Sequence, residues 1–146
     1  MKGKKTLKIY LDELCSVMED SSYEHDYYLD LKTGEIVLVS DWMDEEEGEK
    51  LRDRIDSNPD RYEQIPKVES YEAYQDMEDF IATVEDAHLA ELLGVAINGR
   101  GAFRRFKDVL LRYPKERERW LRFKDERMKQ RALEWLSEIG ISPVEG

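Results

Sequence analysis

The residues best suited to chemistry lie in one short segment, Gly99 to Lys107, which reads GRGAFRRFK. Two glycines let a backbone turn tightly, and a helix that starts directly after them exposes free amide groups at its N-terminus. Arginine side chains add planar, bidentate donors for phosphate or carboxylate. The segment therefore predicts an anion-binding site, with the candidate residues Arg100, Gly101, Arg104, Arg105 and Lys107.

A purely structural explanation of the same segment stays open. Gly99 would terminate the preceding helix, and the arginines would pair with the many carboxylates of the chain. The apolar residues Phe103, Phe106 and Leu110 would then belong to the core. Because the segment has neither the lysine–serine pair of a phosphate-binding loop nor a dinucleotide-binding glycine pattern, no specific ligand is indicated.

Other groups that could do chemistry favour structural roles. His25 and His88 lie far apart without a cysteine partner, which disfavours a zinc site. The acidic run from Asp44 to Glu49 lacks the alternating ligand spacing of a calcium loop and is typical of a solvated turn. Cys15 has no neighbouring histidine or cation and reads as a small buried hydrophobe. We therefore predict no catalytic residue, no metal site and no cofactor.

The charges divide sharply along the chain. Residues 100–131 carry thirteen Lys and Arg against five Asp and Glu, a net charge of +8, whereas residues 1–99 carry a net charge of −16. Either the basic helices pair with acidic residues of the same chain, or they present a positive face to a polyanion. Alternating charges over residues 115–119 favour the first explanation, since short-range pairs are common on solvated helices.

Length and composition predict one cytoplasmic domain spanning residues 1–146. With 39% charged residues and a net charge of −11, the chain should adhere poorly to nucleic acid or anionic membrane in general, so anion binding would have to be local. A single cysteine excludes an intrachain disulfide and fits a reducing compartment. Neither a signal peptide nor a transmembrane helix is recognisable, and no membrane partner is predicted.

Hydrophobic periodicity predicts an α+β fold, with a small antiparallel sheet of about three strands, about six helices and a long C-terminal helix. A hairpin is indicated by residues 26–31 and 35–40 around Thr33-Gly34, and a third strand by residues 61–66. The helical stretches are residues 9–20, 50–55, 70–84, 89–97, 102–110 and 114–139, the last beginning at Pro114 and stopping at Gly140.

Motifs spread over most of the chain carry a family resemblance. They are Tyr27-Tyr28-Leu29-Asp30 with Thr33-Gly34-Glu35, Arg61-Tyr62 with Ile65-Pro66, residues 77–81 (MEDFI), residues 99–108 (GRGAFRRFKD), Trp120 with Phe123, and Trp135-Leu136. Together they resemble a bacterial uncharacterised protein family of the UPF type, although Leu121 stands where many relatives would carry an aromatic residue. The resemblance implies a bacterial, cytosolic origin and assigns no chemistry.

Three hypotheses on function remain open. The first is a non-enzymatic interaction module whose basic C-terminal helices, centred on Arg100, Arg104 and Arg105, bind an acidic protein partner or a phosphate-bearing ligand. The second is an RNA- or nucleotide-binding regulator, whose affinity would fall steeply with salt. The third is a small enzyme acting on an anionic substrate, which would require a pocket near Gly101 holding a carboxylate of raised pKa.

Overall fold

A computed structural model describes residues 5–145, which form six helices and five strands. The strands are β1 (Lys5–Ile9), β2 (His25–Asp30), β3 (Ile36–Ser40), β4 (Tyr62–Gln64) and β5 (Ile141–Glu145). The helices are α1 (Leu11–Glu19), α2 (Glu45–Asp56), α3 (Ser70–Ile81), α4 (Ala87–Ala96), α5 (Ala102–Leu110) and α6 (Pro114–Glu138). The predicted α+β class is confirmed, including the long C-terminal helix.

The described chain divides into two compact units. Residues 5–68 together with residues 129–145 form the first unit, and residues 69–128 form the second. That both belong to a single domain spanning residues 1–146 stays a prediction. No described helix combines the length and the apolar character needed to cross a membrane.

The first unit contains the antiparallel sheet, in the strand order β3-β2-β4. The predicted hairpin is confirmed, with Tyr28 opposite Val37 in β3, and Leu29 of the same strand pairs with Glu63 in β4. Apolar side chains of the sheet and of α2 form a small core: Val39, Ile55 and Tyr62, packed against Tyr28, Val37 and Leu51. Burial of this cluster holds the otherwise highly charged α2 against the sheet.

A second, parallel pair of strands joins the two ends of the described chain. Strand β1 pairs with β5 in a register that sets Lys5 opposite Ile141 and Leu7 opposite Pro143. Neither strand was predicted: residues 5–8 had no assignment, Ile9 was expected to start a helix, and Pro143 was expected to follow the last element. An edge strand tolerates proline, because its amide need not take part in the sheet. Pro143 was read only as a residue that follows the end of a helix, so β5 was not predicted.

The second unit is built around an aromatic core. Phe80 of α3, Phe106 of α5 and Trp120 of α6 meet edge to face, with ring centroids 6.2 Å apart for Phe80–Phe106 and 4.8 Å for Phe106–Trp120. Leu89 and Leu93 of α4 are buried in the same cluster. This core fixes the orientation of α5 and thereby decides which of its residues face solvent.

Candidate functional site

The candidate anion-binding segment forms the turn between α4 and α5. Gly99 and Gly101 both have positive φ values, 90° and 74°, and Gly101 is the N-cap residue of α5. Because a side chain strains the backbone in this left-handed region, the two glycines allow the chain to turn from α4 into α5 with only five residues between the helices. The first turn of α5 leaves amide groups without intrahelical acceptors, as the sequence predicted.

Arg105 differs from the other candidate cations because it is bonded to the scaffold. Its Nε donates to the carbonyl oxygen of Ala96 at 2.9 Å, and its Nη2 donates to the carbonyl oxygen of Asn98 at 2.6 Å. Ala96 is the last residue of α4 and Asn98 lies in the turn directly after it, where carbonyl groups lack helical partners. Arg105 therefore ties α5 to the end of α4, and it does so through carbonyl groups and not through the carboxylates that the sequence suggested.

The remaining candidate cations face solvent. Arg100, Arg104 and Lys107 are exposed. The Nε of Arg104 lies 4.0 Å from Oδ2 of Asp108, with side-chain exposures of 88% and 62%, and such an exposed pair contributes only about 0–1 kcal/mol. The side chains of Arg100 and Lys107 have no hydrogen-bond or ion-pair partner within residues 5–145. We call these three residues the α5 basic face.

The apolar residues of α5 divide into buried and exposed ones according to their position around the helix. Ala102, Phe106 and Leu110 are buried, so the prediction of core positions is confirmed for Phe106 and Leu110. Phe103 keeps 41% of its surface exposed and is not a core residue. Its ring lies at the first turn of α5, next to Arg104 in the sequence.

Several arginines of α6 are paired within the second unit, as the structural explanation predicted. Arg119 donates to Glu116 at 2.7 Å, and its Cζ lies 4.4 Å from the ring centroid of Phe80. Arg127 donates to Asp79 at 2.7 Å, and its Cζ lies 4.9 Å from the centroid of Phe123. The positive charge of the C-terminal helices is therefore partly structural on α6, in contrast to the α5 basic face.

A carboxylate–histidine pair in the first unit had no signal in the sequence. Oδ2 of Asp20 accepts hydrogen bonds from the Tyr27 hydroxyl at 2.6 Å and pairs with Nδ1 of His25 at 2.8 Å. The hydrogen bonds from Tyr27 and His25 hold the pKa of Asp20 well below its ordinary value, while Asp20 raises the pKa of Tyr27 to about 12. The cluster joins the end of α1 to β2. Among the described residues, no three His, Cys, Asp or Glu side chains come close enough to hold a metal ion.

A second ionic cluster fixes the hairpin to β4. Arg61 donates to Asp30 through Nε at 3.1 Å and Nη2 at 2.9 Å, and the amide of Lys32 donates to the same carboxylate at 2.9 Å. The hydrogen bonds from Arg61 are the main reason that the pKa of Asp30 falls from 3.8 to about 2. Asp30 is buried, with 4% of its surface exposed, so its charge depends on these donors.

We expect Asp30→Asn to lower the free energy of unfolding by about 2 kcal/mol near neutral pH, since a carboxylate of depressed pKa stabilises the fold while it is ionised. The stabilisation is complete above the ordinary pKa and is lost as pH falls through about 2. Urea unfolding between about pH 7 and pH 2 should show the difference between wild type and variant shrinking below about pH 4. Asp26→Asn, on the same strand, is the control; a gap that stays constant with pH would contradict the prediction.

Comparison with known proteins identifies relatives over nearly the full chain. A model described as "Uncharacterised protein family (UPF0158)" matches residues 4–145. A UPF0158 protein of Pseudomonas aeruginosa is 30% identical over 140 residues, which cover 96% of this chain and 88% of the relative. No solved structure shows a significant match to the chain.

Longer relatives occur in Chlamydia. UPF0158 proteins of Chlamydia trachomatis and Chlamydia muridarum are 32% and 31% identical over 124 residues, covering 84% of this chain but only 38% and 37% of the relatives. The predicted resemblance to a bacterial family without an assigned function is confirmed by these matches. The chain belongs to the uncharacterised protein family UPF0158.

Proposed function

We propose that this protein is a non-enzymatic interaction module that binds an acidic protein partner or a phosphate-bearing ligand through the α5 basic face. The proposal is carried by one observation: Arg100, Arg104 and Lys107 are exposed, the side chains of Arg100 and Lys107 have no partner among the residues that the structure describes, and Arg104 has only a solvent-exposed contact with Asp108 at 4.0 Å. Cations with little or no pairing, gathered on α5 and in the turn before it, produce a local positive potential in a chain of net charge −11.

The surroundings of these cations suit an anion. Gly101 begins α5 with a positive φ, so the amide groups of the first turn and the positive end of the helix dipole lie beside Arg100 and Arg104. Arginine adds bidentate donors that match the oxygens of a carboxylate or phosphate. Arg105 supports the site indirectly, since it fixes the turn that carries Arg100.

The exposed ring of Phe103 favours a second candidate, an RNA- or nucleotide-binding regulator. A partly exposed aromatic ring next to cations is the arrangement on which single-stranded nucleic acids stack their bases. A cytoplasmic location, where such ligands are abundant, is part of this proposal. The enzyme hypothesis gains no such support: among the described residues, the carboxyl groups with a displaced pKa are Asp20, Asp30 and Asp79, and in each of them the pKa is lowered.

The test compares Arg104→Glu/Lys107→Glu with wild type in binding to three labelled probes: single-stranded RNA, a polyglutamate peptide and a nucleoside triphosphate. We expect the wild type to bind at least one probe with an affinity that falls with salt, and the variant to bind it at least about tenfold more weakly. Arg105 is left unchanged, because its bonds to α4 would make a loss of binding ambiguous.

Lys115→Glu/Arg122→Glu is the matched control, since it makes the same change of net charge at exposed positions of α6. Wild-type-like binding by this control would assign the affinity to the α5 basic face. Equal loss in both double variants would mean that overall charge, and not this face, governs binding. Failure of the wild type to bind any of the three probes at low salt would overturn the proposal.

A further inference from the structure

We infer that the outer edge of β3 is a docking site for an extended segment of a basic protein partner. The segment pairs with β3 as an added strand and carries lysine or arginine at its ends. Strand β3 lies at one edge of the antiparallel sheet, and no described segment pairs with its outer side. The edge belongs to the first unit and shares no residue with the α5 basic face, so the inference is independent of the proposed function.

The backbone of β3 presents outward-pointing groups at Ile36 and Leu38. The amide of Asp30 donates to the carbonyl oxygen of Glu35 at 2.8 Å, which makes these two residues a hydrogen-bonded pair. Hydrogen-bonded and non-bonded pairs alternate along an antiparallel ladder, so Val37 bonds towards β2, whereas the N–H and C=O groups of Ile36 and Leu38 point outward. Among the described residues, these outward groups have no hydrogen-bond partner.

The other strand edges of the first unit are protected against pairing with a further strand. Strand β4 has only three residues, and Pro66 follows it closely. Pro143, which has no amide hydrogen, interrupts β5. The hairpin loop covers the outer edge of β1, since the backbone of Gly34 lies against the carbonyl oxygen of Lys8. Strand β3, by contrast, has the sequence IVLVS, which contains no proline, lysine or other charged residue that would keep a further strand away.

The side chains at this edge suit an extended segment with alternating apolar residues. Leu38 is 38% exposed, although its neighbour Val39 is buried. An added strand sets its own apolar side chains beside Leu38, at the distance of a cross-strand pair. Trp42, two residues beyond the end of β3, is 78% exposed, and its Nε1 donates to Oε2 of Glu24 at 3.3 Å. The exposed indole ring can receive a cation at one end of the added strand.

The charge around the edge selects a basic partner. Residues 35–49, which comprise β3 and the residues that flank it, contain seven Asp and Glu and no Lys or Arg. Two cations from α2 contact this segment in exposed pairs: Arg52 with Asp41 and Lys50 with Glu46, both at 3.2 Å. The segment keeps a net negative charge after these pairs are counted, so it attracts the basic ends of an approaching strand.

A second copy of this chain suits the edge poorly. In a two-fold antiparallel pairing of β3 centred on Leu38, Glu35 of each copy lies opposite Asp41 of the other, and like charges directly opposite each other are destabilising. Each copy also carries a net charge of −11, which opposes association. A basic extended segment satisfies the backbone groups, the apolar side chain and the charge of this edge together.

The test titrates the full chain with a labelled synthetic peptide, KKVTVTVKK, which alternates apolar and polar residues between lysines. We expect a dissociation constant below about 1 mM, as for a weak specific complex. Amide hydrogen exchange followed by NMR locates the contact. The peptide should slow exchange at Ile36 and Leu38 at least about tenfold, whereas Val37, which is already bonded to β2, is the internal reference.

Two altered peptides separate backbone pairing from attraction between charges. A peptide N-methylated at its valines and threonines keeps its charge but cannot donate to the outward carbonyl groups of β3, and it should bind at least about tenfold more weakly. The peptide EEVTVTVEE keeps the backbone donors but reverses the charge at both ends. It should also bind at least about tenfold more weakly, because the segment that flanks β3 is acidic.

Variants of the protein test the same edge from the other side. Leu38→Pro removes the outward amide and leaves the ladder to β2 in place, so binding should weaken at least about tenfold in a folded protein. Leu38→Lys does not depend on tolerating proline, and it should weaken binding similarly by repelling the basic peptide. Leu133→Lys makes the same chemical change on α6, at a residue that is 42% exposed, and should bind like the wild type.

Three results would overturn the inference: no binding of KKVTVTVKK by the wild type at about 1 mM, equal binding of the N-methylated peptide, or equal weakening by Leu133→Lys and Leu38→Lys. Slow exchange of Ile36 and Leu38 in the protein without peptide, increasing with protein concentration, would assign the edge to a second copy and would overturn it as well.

Discussion

Phe80→Ala is expected to lower the free energy of unfolding of the second unit by about 3–5 kcal/mol, the usual cost of removing a buried phenylalanine. Phe80 is fully buried, and its ring contacts those of Phe106, Trp120 and Phe123 at centroid distances of 6.2, 5.3 and 5.6 Å. The guanidinium of Arg119 also lies over the Phe80 ring, so the substitution removes a cation–π contact as well. Because surrounding rings are rigid, the cavity can collapse only in part.

Thermal unfolding followed by near-UV circular dichroism measures this effect, since Trp120 is a neighbour of the lost ring. A drop in the midpoint of about 10 °C is expected for a unit of this size. Phe103→Ala removes the same side chain from a position that is 41% exposed and should cost less than about 1 kcal/mol. Similar losses from the two variants would show that the aromatic cluster does not carry the stability of this unit.

Much of the fold could be predicted because the spacing of apolar residues in the sequence matches the helix faces that are buried in the structure. The apolar spacing in α3 and α5 matches the faces that the aromatic core buries, and Pro114 starts α6 as its missing amide predicts. Thr33-Gly34 marks the hairpin turn because glycine supplies the positive φ of 82° found there. Such signals lie within a few residues of the structure that they specify.

The parallel β1–β5 pair could not be predicted for the opposite reason. Lys5 pairs with Ile141, so each strand depends on a partner at the other end of the described chain. The run Lys5–Ile9 has only five residues, of which only Leu7 and Ile9 are apolar, so it has little signal of its own. No local sequence pattern predicts that two strands so far apart in the sequence will pair. Pro143, which lies within β5, indicated that the last element had already ended.

The candidate site was predicted only as a group of equivalent cations. Arg104 and Arg105 are neighbours in the sequence and both are exposed, yet only Arg105 is bonded to the end of α4. Successive residues of a helix point about 100° apart, so the two side chains leave α5 in different directions. Which of them points towards α4 depends on how the buried Phe106 docks in the core. Spacing alone therefore could not distinguish a binding residue from a scaffolding one.

Gly34→Ala is expected to destabilise the first unit by at least about 4 kcal/mol, a cost reserved for substitutions that force the backbone to move. A Cβ atom at this position would lie 2.2 Å from the carbonyl oxygen of Lys8 in β1, and the φ of 82° adds strain for any side chain. The amide of Gly34 also donates to the carbonyl oxygen of Asp30 at 2.8 Å, so shifting the loop would weaken the hairpin turn. Loss of cooperative thermal unfolding, or a midpoint lowered by about 10 °C or more, would be the measured result.

Gly101→Ala separates the two causes of that effect. Gly101 has a similar positive φ of 74°, but an added Cβ would meet no atom within 4 Å. The left-handed conformation alone should cost about 1–2 kcal/mol. The excess loss in Gly34→Ala therefore measures the close approach of the hairpin loop to β1. Equal losses would contradict that contact and would mean that the hairpin loop and β1 can move apart at little cost.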